Sequence, residues 1–260
     1  MLRIAANISM LFTDAPFLDR VERAAAAGFA AIECQFPYAH PAGALKAALD
    51  TWGMSLVLHN LPPGDWAAGD RGIACHPHRI AEFEEGVATA IAYATTLGCP
   101  QVNCLAGIPP GNVPESLARD TLLRNLAYAA GVARTAGIRV LVEPINTRDM
   151  PGYYVAGTRE ARAIIAEVGA DNLFLQFDCY HMQIMEGDIT RSLEANIDLI
   201  RHVQIADVPG RGEPGTGEIN WVHILHTLET LGYDGWVGAE YHPQGRTEAG
   251  LGWIQRLTWR

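Results

Sequence analysis

The 260-residue chain has a single lysine, Lys46, and it lies in a stretch of helical pattern rather than at a strand end. A Schiff-base enzyme needs an amine inside its pocket, so that chemistry is a poor fit. Lys and Arg number 19 against 29 Asp and Glu, a net charge of −10, and no basic stripe runs along the sequence. Sequence-independent binding to nucleic acid depends on such a stripe, so no nucleic-acid partner is expected. No apolar run reaches the roughly 18 residues of a membrane span, and the N-terminus enters a strand-like segment at once, so neither a membrane helix nor a signal peptide is expected. The five cysteines (Cys34, Cys75, Cys99, Cys104, Cys179) are odd in number and form no CxxC. That usage fits a reduced, cytoplasmic protein better than a disulfide scaffold. The segment after the first strand-like run, NISMLFTDAP, lacks the glycine-rich loop of a dinucleotide-binding sheet, and GEPGTGE at 212–218 lacks the Gly-Lys-Ser/Thr ending of a phosphate loop.

What the chain does have is a rhythm. A helical stretch ends in glycine and a short apolar run follows, in AAAAGFAAIE, TWGMSLVLHN, TLGCPQVNCL, TAGIRVLVEP, EVGADNLFLQFD and TLGYDGWVGAE. Glycine just past a helix is the expected left-handed cap. With the first strand and a junction near Ile200, eight strands are predicted, at 3–7, 31–36, 55–60, 101–106, 139–145, 173–179, 202–207 and 235–241. Helices are predicted at 16–28, 43–52, 78–97, 114–136, 158–168, 188–200, 220–231 and 248–258. Eight βα units and no linker predict one domain over 1–260, an α/β fold of the (β/α)8 TIM-barrel type with its site at the strand C-termini.

Four chelating side chains sit at the ends of four consecutive predicted strands: Glu143 in RVLVEP, Asp178 in LFLQFD, Gln204 in HVQIAD and Glu240 in GWVGAEY. They are about 25 to 36 residues apart, the length of one strand and one helix. A carboxylate is costly to bury unless something pairs with it. Three acids and an amide oxygen make a hard-oxygen set, which suits Mg²⁺ or Mn²⁺ better than zinc. A charge pair at the barrel rim would explain any one of these acids, but it explains the four together poorly. Gln204 is the weakest single signal, because a buried glutamine can simply bond to backbone.

Several strings resemble the xylose-isomerase-like sugar isomerases and epimerases, and most closely the hydroxypyruvate isomerase family. They are NISMLF, LHNLPPGDWAAGDRGIACHP, VEPIN, QFDCYHMQIMEGD, HVQIADVPGRGEPGTGEIN and EYHPQGRTEAGLGW, spanning Asn7 to Trp253. The resemblance implies a metal site of Glu143, Asp178, Gln204 and Glu240, with proton transfer assigned to Glu143 and Glu240. It implies an isomerase that interconverts hydroxypyruvate and tartronate semialdehyde. A 2-oxo-tetronate isomerase is the nearest alternative. A ketose 3-epimerase is a weaker one, because related epimerases carry His where this chain has Gln204. An apurinic endonuclease shares the barrel but needs several zinc ions, many histidines and a basic groove.

The expected substrate is a small 2-oxo or hydroxy acid, so a cation should meet its carboxylate. Arg71, in the long segment after the third strand, and Arg211, in the glycine-rich segment after the seventh, are the candidates, each with a solvated surface charge as the competing reading. His181 lies three residues past Asp178, where related epimerases place a histidine on substrate oxygens, so the resemblance implies a substrate contact. His59 is a substrate contact or a rim histidine, Trp66 a pocket wall or a loop pin, and Asp207 and Glu213 are expected to orient the ligands. Barrels of this type often pair, which leaves a homo-oligomer open.

Overall fold

Eight parallel strands close into a barrel in strict chain order, and the last pairs with the first. The computed structural model describes residues 2–258. The strands are β1 (Arg3–Asn7), β2 (Ala31–Cys34), β3 (Ser55–Asn60), β4 (Gln101–Cys104), β5 (Arg139–Val142), β6 (Leu173–Asp178), β7 (Ile200–Ile205) and β8 (Trp236–Ala239). The helices are α1 (Asp19–Ala26), α2 (Ala42–Trp52), α3 (Ile80–Leu97), α4 (Glu115–Thr135), α5 (Thr158–Val168), α6 (Cys179–Met185), α7 (Ile189–Asn196), α8 (Trp221–Thr230), α9 (Thr247–Gly250) and α10 (Gly252–Thr258). This is the (β/α)8 barrel that the rhythm predicts. The six glycines that punctuate the repeats, Gly28, Gly53, Gly98, Gly137, Gly169 and Gly232, all have φ between +62° and +90°.

The main apolar core lies between strands and helices. Val21 and Ala24 of α1, Leu45 and Leu49 of α2, and Leu122 and Leu126 of α4 are all buried in it. Inside the barrel a smaller cluster of Ala5, Ala31 and Val57, with Trp236 against it, fills the end where the strands begin. Toward the strand C-termini the interior turns polar. Glu33 of β2, fully buried, accepts hydrogen bonds from Asn7 Nδ2 of β1 (2.9 Å) and Gln204 Nε2 of β7 (2.7 Å), and its other oxygen meets His202 Nε2 of β7 at 2.5 Å. Gln101 of β4 reaches the far side of that imidazole at 3.2 Å, and Gln176 of β6 donates to Gln204 Oε1 at 2.6 Å. Five strands are thereby tied together through side chains. An unpaired carboxylate in such a place would be severely destabilising.

Two irregularities in register decide which side chains look inward. Between β2 and β3, Ile32 pairs with Leu56 but Glu33 pairs with Leu58, so Val57 is an extra residue. Between β6 and β7, Leu175 pairs with Ile200 but Gln176 pairs with His202. One inserted residue reverses the alternation beyond it. The second irregularity sets Asp178 directly beside Gln204.

The loops after β3 and β4 meet backbone to backbone. Gly72 has φ +99°, and a Cβ there would lie 2.4 Å from the Leu105 carbonyl oxygen. Gly107 has φ +96°, and its Cβ would lie 2.4 Å from the Gly72 oxygen. Only glycine fits either place.

Gly238 of β8 makes room for Glu33, since a Cβ would stand 2.1 Å from Glu33 Oε2. Gly238→Ala is therefore expected to push the carboxylate off its partners. The expected loss is about 1–3 kcal/mol of unfolding free energy by urea denaturation. An unchanged midpoint would show that Glu33 has slack.

Candidate active site and metal centre

The expected ligands arrive at the C-terminal mouth on rigid elements. Asp178 closes β6, Gln204 lies within β7, and Glu143 and Glu240 each follow their strand by one residue. All four are buried. Glu143 Oε2 accepts from Asn103 Nδ2 of β4 at 2.7 Å. Glu240 Oε1 accepts from Asn7 Nδ2 and Gln35 Nε2, each at 3.0 Å. Gln204 is engaged on both sides, by Gln176 and by Glu33. Glu143 Oε1, Asp178 Oδ2 and His181 Nε2 converge: His181 Nε2 is 3.4 Å from Asp178 and 3.9 Å from Glu143. Ligand atoms of these three residues all lie within 4.8 Å of one another, close enough to hold one ion.

His181 owes its place to α6, a helix that the strand-then-loop reading of 179–187 did not include. Asp178 caps it, accepting from the Tyr180 backbone N–H at 2.8 Å through Oδ1. A side-chain oxygen at the N-cap satisfies a donor that the helix cannot. The same carboxylate thus starts the helix with one oxygen and turns the other toward the site.

Arg211 sits in the loop after β7 with φ +51°, unusual for a side-chain-bearing residue. Its Nη2 lies 2.7 Å from Glu240 Oε2 and 3.4 Å from Asp178 Oδ2. Asp207 pins the loop: its carboxylate accepts from the backbone N–H groups of Val208, Gly215 and Ile219 and from Trp221 Nε1, at 2.8–3.1 Å. Glu213 accepts from the Gln244 N–H at 2.8 Å and so joins this loop to the one after β8. Both acids act on loop backbone.

Glu143, His181, Arg211 and Glu240 line a cavity of about 320 Å³, part of it open to solvent, together with Gln35, Phe36, Asn60, Trp66, Leu105, Ile145 and Met150. Arg211 is the one cationic side chain among the described residues lining it. Trp66 packs tilted against Phe36, ring centroids 5.3 Å apart. Arg71 lies behind Trp66, its guanidinium 4.2 Å from the ring centroid and bonded to the Trp66 and Asp70 carbonyls. His59 is not in the lining. Its ring meets Tyr38, which packs on Tyr93 of α3, and burial lowers its pKa to about 4, leaving it neutral. The irregularity at Val57 is the reason: it turns His59 outward with Cys34 and turns Asn60 inward with Asn103. Sequence reading also missed Asn7, Gln35 and Asn103, each of which holds a glutamate. Asn7 and Asn103 are polar residues at inward strand positions, a signal that was present.

Charge at the site is out of balance. Burial, then repulsion from Glu240 and Asp178, pushes Glu143 well above the usual carboxylate range. Burial raises Asp178 against the pull of Arg211, and raises Glu240 to about 7 against the same pull. Three buried carboxyl groups face one guanidinium. A divalent cation would supply the missing positive charge, and the oxygen-rich donors fit a hard ion.

Comparison with known proteins agrees with this architecture. Residues 21–257 match the model of the xylose isomerase-like TIM barrel family. A 2-oxo-tetronate isomerase of Cupriavidus necator is 49% identical over 255 residues, and the hydroxypyruvate isomerase of Escherichia coli 50% over 254, each alignment covering 98% of both chains. A crystal structure from Brucella melitensis, named an AP endonuclease of family 2, superposes with TM-score 0.96 at 44% identity, covering 98% of this chain and 99% of that one. The chain belongs to the hydroxypyruvate isomerase family of xylose isomerase-like barrels.

The raised pKa of Glu240 has a sign that can be measured. The folded protein keeps this proton where the unfolded chain loses it, between the ordinary carboxylate value of 4.5 and about 7. Stability of the metal-free protein should therefore fall as pH rises through that window. Glu240→Gln should remove part of the slope, gaining on the wild type by a few kcal/mol between about pH 5 and pH 8 in urea titrations. Parallel curves would show that Glu240 is already ionised at the lower pH.

Proposed function

We propose that the protein interconverts hydroxypyruvate and tartronate semialdehyde by moving a proton between adjacent carbons, with Glu143 and Glu240 as the proton-transferring groups. One observation carries the reading: two buried carboxyl groups from non-adjacent strands, Glu143 raised in part by the charge of Glu240, line the same small cavity as a single arginine. Identities near 50% over nearly the whole chain to isomerases of this chemistry support it.

The substrate's carboxylate faces Arg211, whose planar fork matches it. One glutamate, as carboxylate, takes a proton from C3. The electron pair left behind forms an enediolate across C2 and C3. The other glutamate, as carboxylic acid, delivers a proton to C2, while the proton of the C3 hydroxyl passes to the C2 oxygen and the C3 oxygen becomes the aldehyde. No electron leaves the substrate and no redox partner is needed. A carboxyl group that titrates near neutral pH, as Glu240 does, suits this exchange. Glu143, Asp178, Gln204 and Glu240 would hold Mg²⁺ or Mn²⁺; when bound, such an ion lowers the energy of the enediolate by several kcal/mol. Phe36, Trp66, Leu105, Ile145 and Met150 keep water from the carbanionic carbon.

The cavity's size favours a substrate of few carbons, which includes the four-carbon 2-oxo-tetronate named for the Cupriavidus relative. An endonuclease activity, the one named for the Brucella relative, calls for a basic groove, and this chain carries a net charge of −10. Five buried cysteines, all free, fit the reducing cytoplasm.

Glu143→Gln and Glu240→Gln should each lower kcat at least about 100-fold while the fold is kept. The assay compares hydroxypyruvate, 2-oxo-tetronate and a free ketose side by side. Turnover of the ketose alone, or near-normal turnover by either variant, would overturn the proposal.

A further inference from the structure

His181 could serve the site in two incompatible ways. As a metal ligand it must present a lone pair on Nε2. As a hydrogen-bond donor to substrate it must carry the proton there. The groups behind the ring decide between them.

Asn146, four residues beyond β5, faces the other ring nitrogen: Asn146 Nδ2 is 2.7 Å from His181 Nδ1. Which end of that amide faces the ring is fixed by its remaining partners. Asn146 Oδ1 accepts the backbone N–H of Asp149 at 2.8 Å, and Nδ2 donates to Asp149 Oδ2 at 3.1 Å. Turning the amide over would set its oxygen against a carboxylate and its N–H against a backbone N–H. Asp149 is in turn held by the Tyr180 hydroxyl, which donates to Oδ2 at 2.8 Å. A phenol keeps its proton at neutral pH, so this hydroxyl is the donor. The chain of donors therefore runs in one direction, with Tyr180 and Asn146 both donating to Asp149 and Asn146 also donating to His181 Nδ1. A nitrogen that accepts has no proton. The neutral ring must carry its single proton on Nε2, the atom that faces Asp178 and Glu143 in the cavity.

We propose that Asn146 is a positioning residue that locks His181 as an Nε2–H donor to the oxygens of the substrate, and so keeps this histidine out of the metal's ligand set. The lock rests on Asn146, Asp149 and Tyr180; its use on substrate rests on the isomerase reading above. With His181 excluded, oxygen donors alone remain to hold the ion, with Gln204 next to Asp178 as the neutral member.

The test reads the ring nitrogens directly. In protein labelled with ¹⁵N-histidine and kept in Mg²⁺ buffer at neutral pH, long-range proton–nitrogen correlation separates protonated from unprotonated nitrogens. The His181 signals are assigned by their absence in His181→Gln. The expected result is Nε2 protonated and Nδ1 bare. Asn146→Asp offers an acceptor in place of the donor and should exchange the two, with kcat/KM lowered on the order of tenfold or more, the cost of a lost hydrogen bond. Asp149→Asn frees the amide to turn and should give both tautomers. A bare Nε2 in the wild type, a doubly protonated ring, or a folded Asn146→Asp with unchanged signals would overturn the proposal. The wild-type spectrum decides the tautomer even if a variant fails to fold. A locked Nε2–H in a protein without isomerase activity would leave the lock standing and remove the function.

Discussion

Concentrated negative charge, held away from water, is the constraint from which the mouth of this barrel follows. Glu143, Asp178 and Glu240 converge there with Arg211 as their nearest cation. Below them lies Glu33, a fourth buried acid, satisfied by amides and an imidazole. Each acid has amide or guanidinium support from elsewhere in the ring, and two of the supports are shared: Asn7 serves Glu33 and Glu240, and Arg211 serves Asp178 and Glu240. The barrel can carry this load because its strands are short and its closure is complete, so donors approach from all round the ring. A carboxyl group kept in such a place is poised to exchange a proton, which is what carbon acid chemistry requires.

Much of this was legible in the chain. The glycine rhythm gave the strand count and order, because the αL cap that ends a helix is one of the few local signals a sequence states outright. Glu143, Asp178 and Glu240 stood out because charged residues at the ends of apolar runs have few structural excuses. The side that a strand shows to the cavity was harder to read. His59 and Asn60 are neighbours, and one extra residue at Val57 decides which of them faces inward; nothing in SLVLHN announces it. Arg71 and Arg211 looked alike as loop cations, and only the packing of Trp66 over Arg71 separates them. The interior amides and the His202–Glu33 contact were visible as polar residues within the strands, but their partners lie on other strands, in the case of His202 and Glu33 169 residues apart.

The two ends of Asp178 illustrate how local and global structure meet. Its Oδ1 starts α6, and its Oδ2 belongs to the site. Because α6 also carries Tyr180 and His181, the strand end, the helix start and the histidine form one rigid piece. The ring's orientation is thereby set by backbone geometry, before any ligand arrives.

The interlock of Gly72 with Gly107 bears on how such an enzyme could change its diet. With the two backbones in contact, neither segment can retreat without dragging the other, and Trp66 rides on the first of them. A longer substrate could not be admitted by loosening one loop. Room would have to come from trimming Phe36, Ile145 or Met150, so the evolutionary route to larger sugars in this scaffold runs through side chains on the cavity wall rather than through loop length.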